Sequence, residues 1–380
     1  MREQIIFIRN SFFHFLYTRA LKRWFFLFDA EHVHDSMTRI GEWLGLSRFG
    51  RGLIRVCFSY SHPSLEQDIC GIHFKNPVGL AAGFDYDAKL PQILPFLGFG
   101  FNSVGTITNM SYEGNPPPML GRLPKSKSLL VNKGFKNKGA ENIAEKLKQY
   151  SFSIPLGISI GRTNSPQLKT AEQSINDIIT AYSLFEKAET QNSYYELNIS
   201  CPNLLFAAED FSDIKNLDML LTALDALHIK KPIFIKMPIE KSNDHVKAML
   251  DVIVRHDSVK GVIFGNLQKN KQDPSLDPVE VARCGRGYFS GKPCENRSNE
   301  LIQLAFKNYG NKLVIIGCGG VFSAEDAYKK IRNGASLVQM ITGMIFEGPQ
   351  VVNEINRGLV QLLKKDGFSH ISEAIGADCT

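Results

Sequence analysis

Eight short apolar runs, separated by longer amphipathic stretches, constrain this 380-residue chain more than any other feature. They are Pro77–Ala82, Gly100–Gly105, Pro155–Ile160, Tyr194–Ile199, Pro232–Met237, Lys260–Gly265, Lys312–Gly317 and Ser336–Met340. Each runs into a turn rich in Gly, Asn or Pro. Most continue into a helix-like segment, such as Ala140–Tyr150, His245–Val254 or Ser323–Asn333. Near-continuous apolar strands alternating with helices imply a parallel sheet covered on both faces. Eight repeats over about 300 residues predict an α/β fold closed into a (β/α)8 TIM barrel, with functional groups just past the C-terminal strand ends.

The first 60 residues do not fit that repeat, and a break near Tyr60-Ser61-His62-Pro63 divides an extension (1–60) from the barrel (61–380). The extension holds 13 of the 39 aromatic side chains and nine basic against five acidic residues. From Phe12 to Phe28 the apolar residues recur at helical spacing, with Thr18, Arg19, Lys22 and Arg23 opposite them. A second amphipathic stretch spans His34 to Leu46, with Asp29 placed as an N-cap. The pattern suits an interfacial membrane anchor and, equally, a helical hairpin packed on its own domain.

A net charge of +6 is too slight over this length to argue for a nucleic-acid partner. The seven scattered cysteines form no CxxC pair and have no histidine at metal-ligand spacing, so neither a disulfide framework nor a zinc site is expected. The start MREQIIFIRNSFFHF has no signal-peptide pattern, and no run of 18 apolar residues predicts a membrane span.

At the strand ends, Gly317-Cys318-Gly319-Gly320 and Thr342-Gly343 follow the seventh and eighth runs, where a barrel commonly binds phosphate. Two purely structural turns are the competing reading. Small residues at Gly79–Gly83 would let a flat ring lie against the backbone. Asn132, Asn198, Asn203 and Asn266, with Lys236, offer convergent amides and one cation to a planar ligand rich in carbonyl and N–H groups. No carboxylate cluster points to a metal.

Several of these segments carry a family resemblance. NPVGLAAGFD at 76–85, GNPPP at 114–118 with GRLP at 121–124, NISCPN at 198–203, GASLVQ at 334–339 and AIGAD at 374–378 resemble the flavin-dependent dihydroorotate dehydrogenases. FDAEHVH at 28–34 resembles the quinone-using, membrane-associated class, which favours the anchor reading. The resemblance implies oxidation of dihydroorotate to orotate on FMN, in de novo pyrimidine biosynthesis, with a quinone as acceptor. It also implies peripheral attachment to the cytoplasmic face of a bacterial-type inner membrane.

Carried over by position, Ala82, Gly83, Tyr86, Thr106, Ser159, Asn198, Lys236, Gly265, Gly291, Gly320, Ile341 and Thr342 fall on FMN-contact positions. Asn132, Gly134, Phe135, Asn198, Asn203, Asn266 and Leu267 fall on orotate-contact positions, and His34 and Arg122 on the quinone pocket. Cys201 falls on the base that removes the C5 proton while hydride leaves C6; an inert buried cysteine is the competing reading.

The chain also departs from the family pattern. Cys201 replaces the serine usual in the quinone class, and Tyr86 a lysine near flavin and substrate. Ser159 stands for an asparagine, Gly265 and Leu267 for threonines, and Ile341 for a tyrosine; the chain is one residue short between Asn132 and Gly134. These departures leave two alternatives to a working quinone-dependent enzyme. One is a flavin oxidoreductase with another pyrimidine-like substrate or acceptor; the other is a weakly active, membrane-associated binding protein.

Overall fold

The computed structural model describes residues 2–206 and 210–379. Eight parallel strands close into a barrel: β1 (Val78–Leu80), β2 (Phe101–Ile107), β3 (Leu156–Ile160), β4 (Tyr194–Asn198), β5 (Ile233–Met237), β6 (Val259–Phe264), β7 (Val314–Cys318) and β8 (Leu337–Met340). All eight fall within or against the apolar runs of the sequence. The ring closes where β8 pairs β1, with Val338 opposite Val78 and Met340 opposite Leu80.

Large and small residues alternate to fill the interior. A Cβ at Gly79 would stand 2.3 Å from the Phe101 ring, and one at Gly157 2.1 Å from the Tyr194 ring, so these glycines make room for the aromatics. Phe74, from a short hairpin below the barrel, meets Phe101 edge-on with centroids 5.4 Å apart. Above this layer the interior turns polar. Gln339 Nε2 donates to Glu196 Oε1 at 2.7 Å, Ser103 donates to the same oxygen, and the Tyr194 hydroxyl lies 2.9 Å from Ser103 Oγ. Burial pushes the Glu196 carboxyl up, against the pull of Lys236 and these hydrogen bonds.

The N-terminal extension is helical, with two corrections to the sequence reading. The first helix, α1 (Arg2–Leu16), starts well before Phe12 and continues through a π-helical turn (Tyr17–Leu21) into Lys22–Phe25. Ile5, Ile6, Phe7 and Ile8 are apolar around the whole turn, so they carry no 3.6-residue signature. The second helix, α2 (Ala30–Leu46), is capped as expected: the Asp29 carboxylate accepts from His32 N at 2.9 Å. A third helix, α3 (Arg48–Phe58), was not expected, because Gly50 and Gly52 depress helical propensity; Ser47 caps it.

These helices are fixed to the end of the barrel. Asn10 Nδ2 donates to Asn353 Oδ1 at 2.7 Å, and Asn353 Nδ2 donates to Phe58 O at 2.9 Å, so one buried amide joins α1 and α3 to the last long helix (Val351–Asp366). The Tyr17 hydroxyl reaches Ile345 O at 2.7 Å. No helix among the described residues is long and apolar enough to cross a membrane.

Gly265, just past β6, shows how tightly the strand ends are drawn together. Its φ is +137°, and a Cβ there would lie 1.9 Å from the Cys318 carbonyl oxygen at the end of β7. No side chain fits this backbone, which accounts for glycine in place of threonine. Gly265→Ala is expected to cost about 2–4 kcal/mol through strain and overpacking, read by urea denaturation. A loss under about 0.5 kcal/mol, the range of an unremarkable surface change, would contradict the close approach.

Candidate active site

A cavity opens at the C-terminal ends of the strands, walled by the turns that follow β1, β4, β6, β7 and β8. Its glycines serve different ends. A Cβ on Gly83 would meet nothing nearer than Ile341 Cδ1 at 3.7 Å, so the missing side chain leaves the floor open. At Gly320 (φ +75°) a Cβ would collide with Glu295, which keeps that turn bare and its backbone close to the cavity. Thr342 Oγ1 lies 2.9 Å from Ser290 Oγ on the same rim, beside Gly291.

The polar groups form a linked array. Asn198 Nδ2 donates to Thr106 Oγ1 at 2.8 Å, and Thr106 Oγ1 lies 3.0 Å from Ser159 Oγ beneath it. Ser200 donates its backbone N–H and hydroxyl to Asn198 Oδ1 at 3.2 and 3.0 Å. Asn266 Nδ2 donates to Ser200 Oγ at 2.6 Å, so one serine orients amides from two strand ends. On the other side, Asn115 Nδ2 donates to Asn132 Oδ1 at 3.0 Å and to Asn203 O at 2.8 Å.

Cys201 sits on the turn after β4 and faces the cavity with Asn198, Asn203 and Lys236. Burial pushes its thiol up to about 11; a hydrogen bond from the Asn203 backbone and the charge of Lys236 pull the other way and do not offset it. The thiol is therefore neutral near pH 7. Desolvation thus leaves much less thiolate near neutrality than an exposed cysteine would hold.

The structure gathers most of the expected residues around this one space: Ala82, Gly83, Tyr86, Thr106, Asn198, Lys236, Gly265, Gly291, Gly320, Ile341 and Thr342, with Gly134, Phe135, Asn203, Asn266 and Leu267. Ser159 and Asn132 do not line it and act through neighbours, Ser159 on Thr106 and Asn132 under Asn115. Sequence reasoning missed Asn115, although it belongs to a quoted motif, because its work is to hold other amides in place. It also missed Lys133, a buried cavity-lining lysine whose signal was the shortened loop around it.

Tyr86 lies in the cavity wall with its hydroxyl turned towards α2, donating to Asp35 Oδ1 at 2.8 Å and Glu31 Oε1 at 3.4 Å. Its ring stacks on His34, centroids 5.4 Å apart at 24°. Burial, helped by Lys133, drives the His34 imidazole down to about 3, so this ring is neutral.

A second cavity adjoins the first. Its lining is aliphatic and aromatic, drawn from the N-terminal helices and the barrel end, with His34 and Arg122 among the few polar groups. His34, Phe84, Leu120, Leu129 and Ile345 line both spaces and form the partition between them. Arg122 donates from Nη1 to Phe28 O at 2.7 Å and stacks over the Phe26 ring at 4.7 Å.

The first cavity fits a flat, phosphate-bearing cofactor. Gly83 leaves a floor that a Cβ would fill, bare glycine turns face the far end, and the amides and Lys236 offer donors to ring carbonyls.

Comparisons with known proteins agree with this geometry. The profile of the dihydroorotate dehydrogenase family matches residues 64–363. A dihydroorotate dehydrogenase (quinone) of Trichodesmium erythraeum is 36% identical over 340 residues, covering 86% of each chain. That of Helicobacter acinonychis is 33% identical over 362 residues, covering 94% of this chain and 98% of its own. A crystal structure of DHODH from Eimeria tenella in complex with ferulenol superposes with a TM-score of 0.79 at 26% identity, covering 92% of this chain and 96% of that one. Fold, strand-end amides and sequence thus converge, and the chain belongs to the dihydroorotate dehydrogenase family.

Proposed function

We propose that this protein oxidises dihydroorotate to orotate with FMN in the first cavity and delivers the electrons to a quinone in the second. The observation that carries the reading is the pair of abutting cavities, one lined by amides and one apolar, sharing a thin wall that includes His34 and Phe84. A polar heterocycle and a lipid-soluble acceptor need such different surroundings, and electrons pass readily only where the two are neighbours.

FMN, when bound, supplies a two-electron acceptor that can take hydride from one partner and return it to another. Ala82, Gly83, Thr106, Lys236 and Gly265 would hold its ring, with Gly291, Gly320 and Thr342 at the phosphate. Asn198, Asn203 and Asn266 would orient the substrate so that C5 faces Cys201, which would take the C5 proton, with Asn132 behind them anchoring Asn115. Lys236 sets positive charge beside the electron-rich ring. The neutral His34 and Arg122 would offer hydrogen bonds to the carbonyl end of a quinone.

Residues 1–60 serve in this reading as a quinone-binding and membrane-facing extension of the catalytic barrel. Among the described residues, all but four of the exposed large apolar side chains belong to them; the exceptions are Met110, Phe206, Met219 and Val279. Trp43 is 70% exposed, Phe49 82% and Val56 73%. A lipid surface covers such a face, consistent with peripheral attachment on the cytoplasmic side of an inner membrane.

Purified, flavin-loaded protein should reduce a quinone analogue only when dihydroorotate is present; dihydroorotate-independent or absent turnover would contradict the assignment. With the thiol near 11, the thiolate fraction rises about tenfold per pH unit, so flavin reduction should rise about tenfold per unit between roughly pH 7 and 9. Cys201→Ala should lose about 10²–10⁴-fold in that rate while keeping its flavin. A flat wild-type profile, or an alanine variant near wild type, would remove Cys201 from the role. Trp43→Glu combined with Phe49→Glu should weaken binding to lipid vesicles by roughly tenfold without changing turnover of a water-soluble quinone analogue. Unchanged vesicle binding would place the membrane face elsewhere.

A further inference from the structure

Lys133 has no role in the reaction as proposed, yet it is 8% exposed and lines the first cavity with Cys201, Asn198, Asn203 and Asn266. A buried ammonium is stable only when paired. Its partners come from two directions: Glu31 on α2, with Oε2 at 2.9 Å and Oε1 at 3.1 Å, and the face of the Tyr86 ring, 4.4 Å from Nζ. Neither partner is exclusive. Glu31 Oε1 also accepts from Lys136 Nζ at 2.9 Å, and the Tyr86 hydroxyl turns away to Asp35 and Glu31.

The backbone explains why this lysine is held at the cavity. Gly134 and Phe135 follow it with φ of +64° and +68°, two successive left-handed residues. Such a conformation is rare for phenylalanine and persists at sites the surroundings enforce. The Lys133 carbonyl accepts from Asn115 N at 3.2 Å, which joins the loop to the residue orienting Asn132 and Asn203. Lys133 is thus built into the amide array. Burial lowers its pKa and Glu31 opposes that shift; Glu31 itself is held low, since Lys133 and Lys136 outweigh its desolvation.

We infer that Lys133 recognises the carboxylate of the substrate, held ready for that anion by Glu31 and the Tyr86 ring. The inference rests on the proposed reaction, whose substrate and product each carry one carboxylate on an otherwise neutral ring. The amides match the ring's carbonyl and N–H groups but cannot neutralise that charge; a desolvated ammonium shared with a single glutamate can. Two other lysines line the cavity: Lys136 is more exposed and paired with Glu31 and Asp35, and Lys236 stands at the end of β5, where its charge acts on Glu196. Because Glu31 lies on α2, substrate binding also draws on the charge that ties the extension to the barrel.

The test compares the flavin-loaded wild type with Lys133→Met, Lys133→Arg and Glu31→Gln. Readouts are orotate affinity by calorimetry, kcat and KM for dihydroorotate, and flavin content. Lys133→Met should weaken orotate binding and raise KM tenfold or more with flavin content unchanged, and Lys133→Arg should recover most of that loss. Glu31→Gln, which removes the carboxylate that keeps this buried cation charged and in place, should also weaken orotate binding, by less than Lys133→Met. Orotate affinity of Lys133→Met within twofold of wild type, or a loss confined to flavin content, overturns the inference while leaving the reaction assigned. A wild type that neither binds orotate nor turns over dihydroorotate overturns both.

Discussion

The pairing of β8 with β1 organises everything else in this molecule. It closes the barrel, and because the pair is parallel it sets the turn after β1 beside the segment that follows β8, where Ala81 N donates to Met340 O at 3.2 Å. The N-terminal helices pack on this same end of the barrel, where the Tyr17 hydroxyl reaches Ile345 O. Ile345 then lines both cavities, as does Phe84 from the turn after β1. The two chemically different compartments share a wall because the segments that follow β1 and β8 meet there.

The shared wall is also where charge is most carefully arranged. His34, between the cavities, is neutral because burial and Lys133 both oppose its protonation. One shell outward, Glu31 and Asp35 on α2 face Lys133, Lys136 and the Tyr86 hydroxyl, so the buried ions there are paired. Tyr86 looked from the sequence like the loss of a needed cation. In three dimensions its ring is the platform on which another cation rests. The substitution and the shortened loop at Lys133 thus meet in space, the tyrosine ring lying under the lysine's ammonium.

The barrel was legible in the sequence because its signal is local: buried parallel strands are apolar end to end, and turn residues follow each one. The cavity-lining glycines and amides were legible for a related reason, since small or polar residues at strand ends serve poorly as core. What escaped is what depends on partners distant in sequence. Asn115 and Lys133 matter through Asn203, Glu31 and Tyr86, which no spacing rule connects to them. The first turn of α1 escaped because Ile5–Ile8 are apolar all round. Gly265 was visible as a departure, but its reason, a carbonyl from β7 pressed against it, belongs to the closed ring. The high thiol pKa of Cys201 likewise follows from depth of burial, which sequence does not state.

The central claim is that each cavity serves one half of the reaction, and separating the halves tests it most directly. Under anaerobic conditions, dihydroorotate is mixed with the oxidised holoenzyme and flavin bleaching is timed; a quinone analogue or fumarate is then added and the return of colour is timed. The account predicts full bleaching and rapid recolouring by the quinone but not by fumarate. In Arg122→Ala it predicts bleaching within twofold of wild type and quinone recolouring at least about tenfold slower, as expected when a hydrogen bond from a charged group is lost. Equal slowing of both phases, or fast recolouring by fumarate, would contradict it.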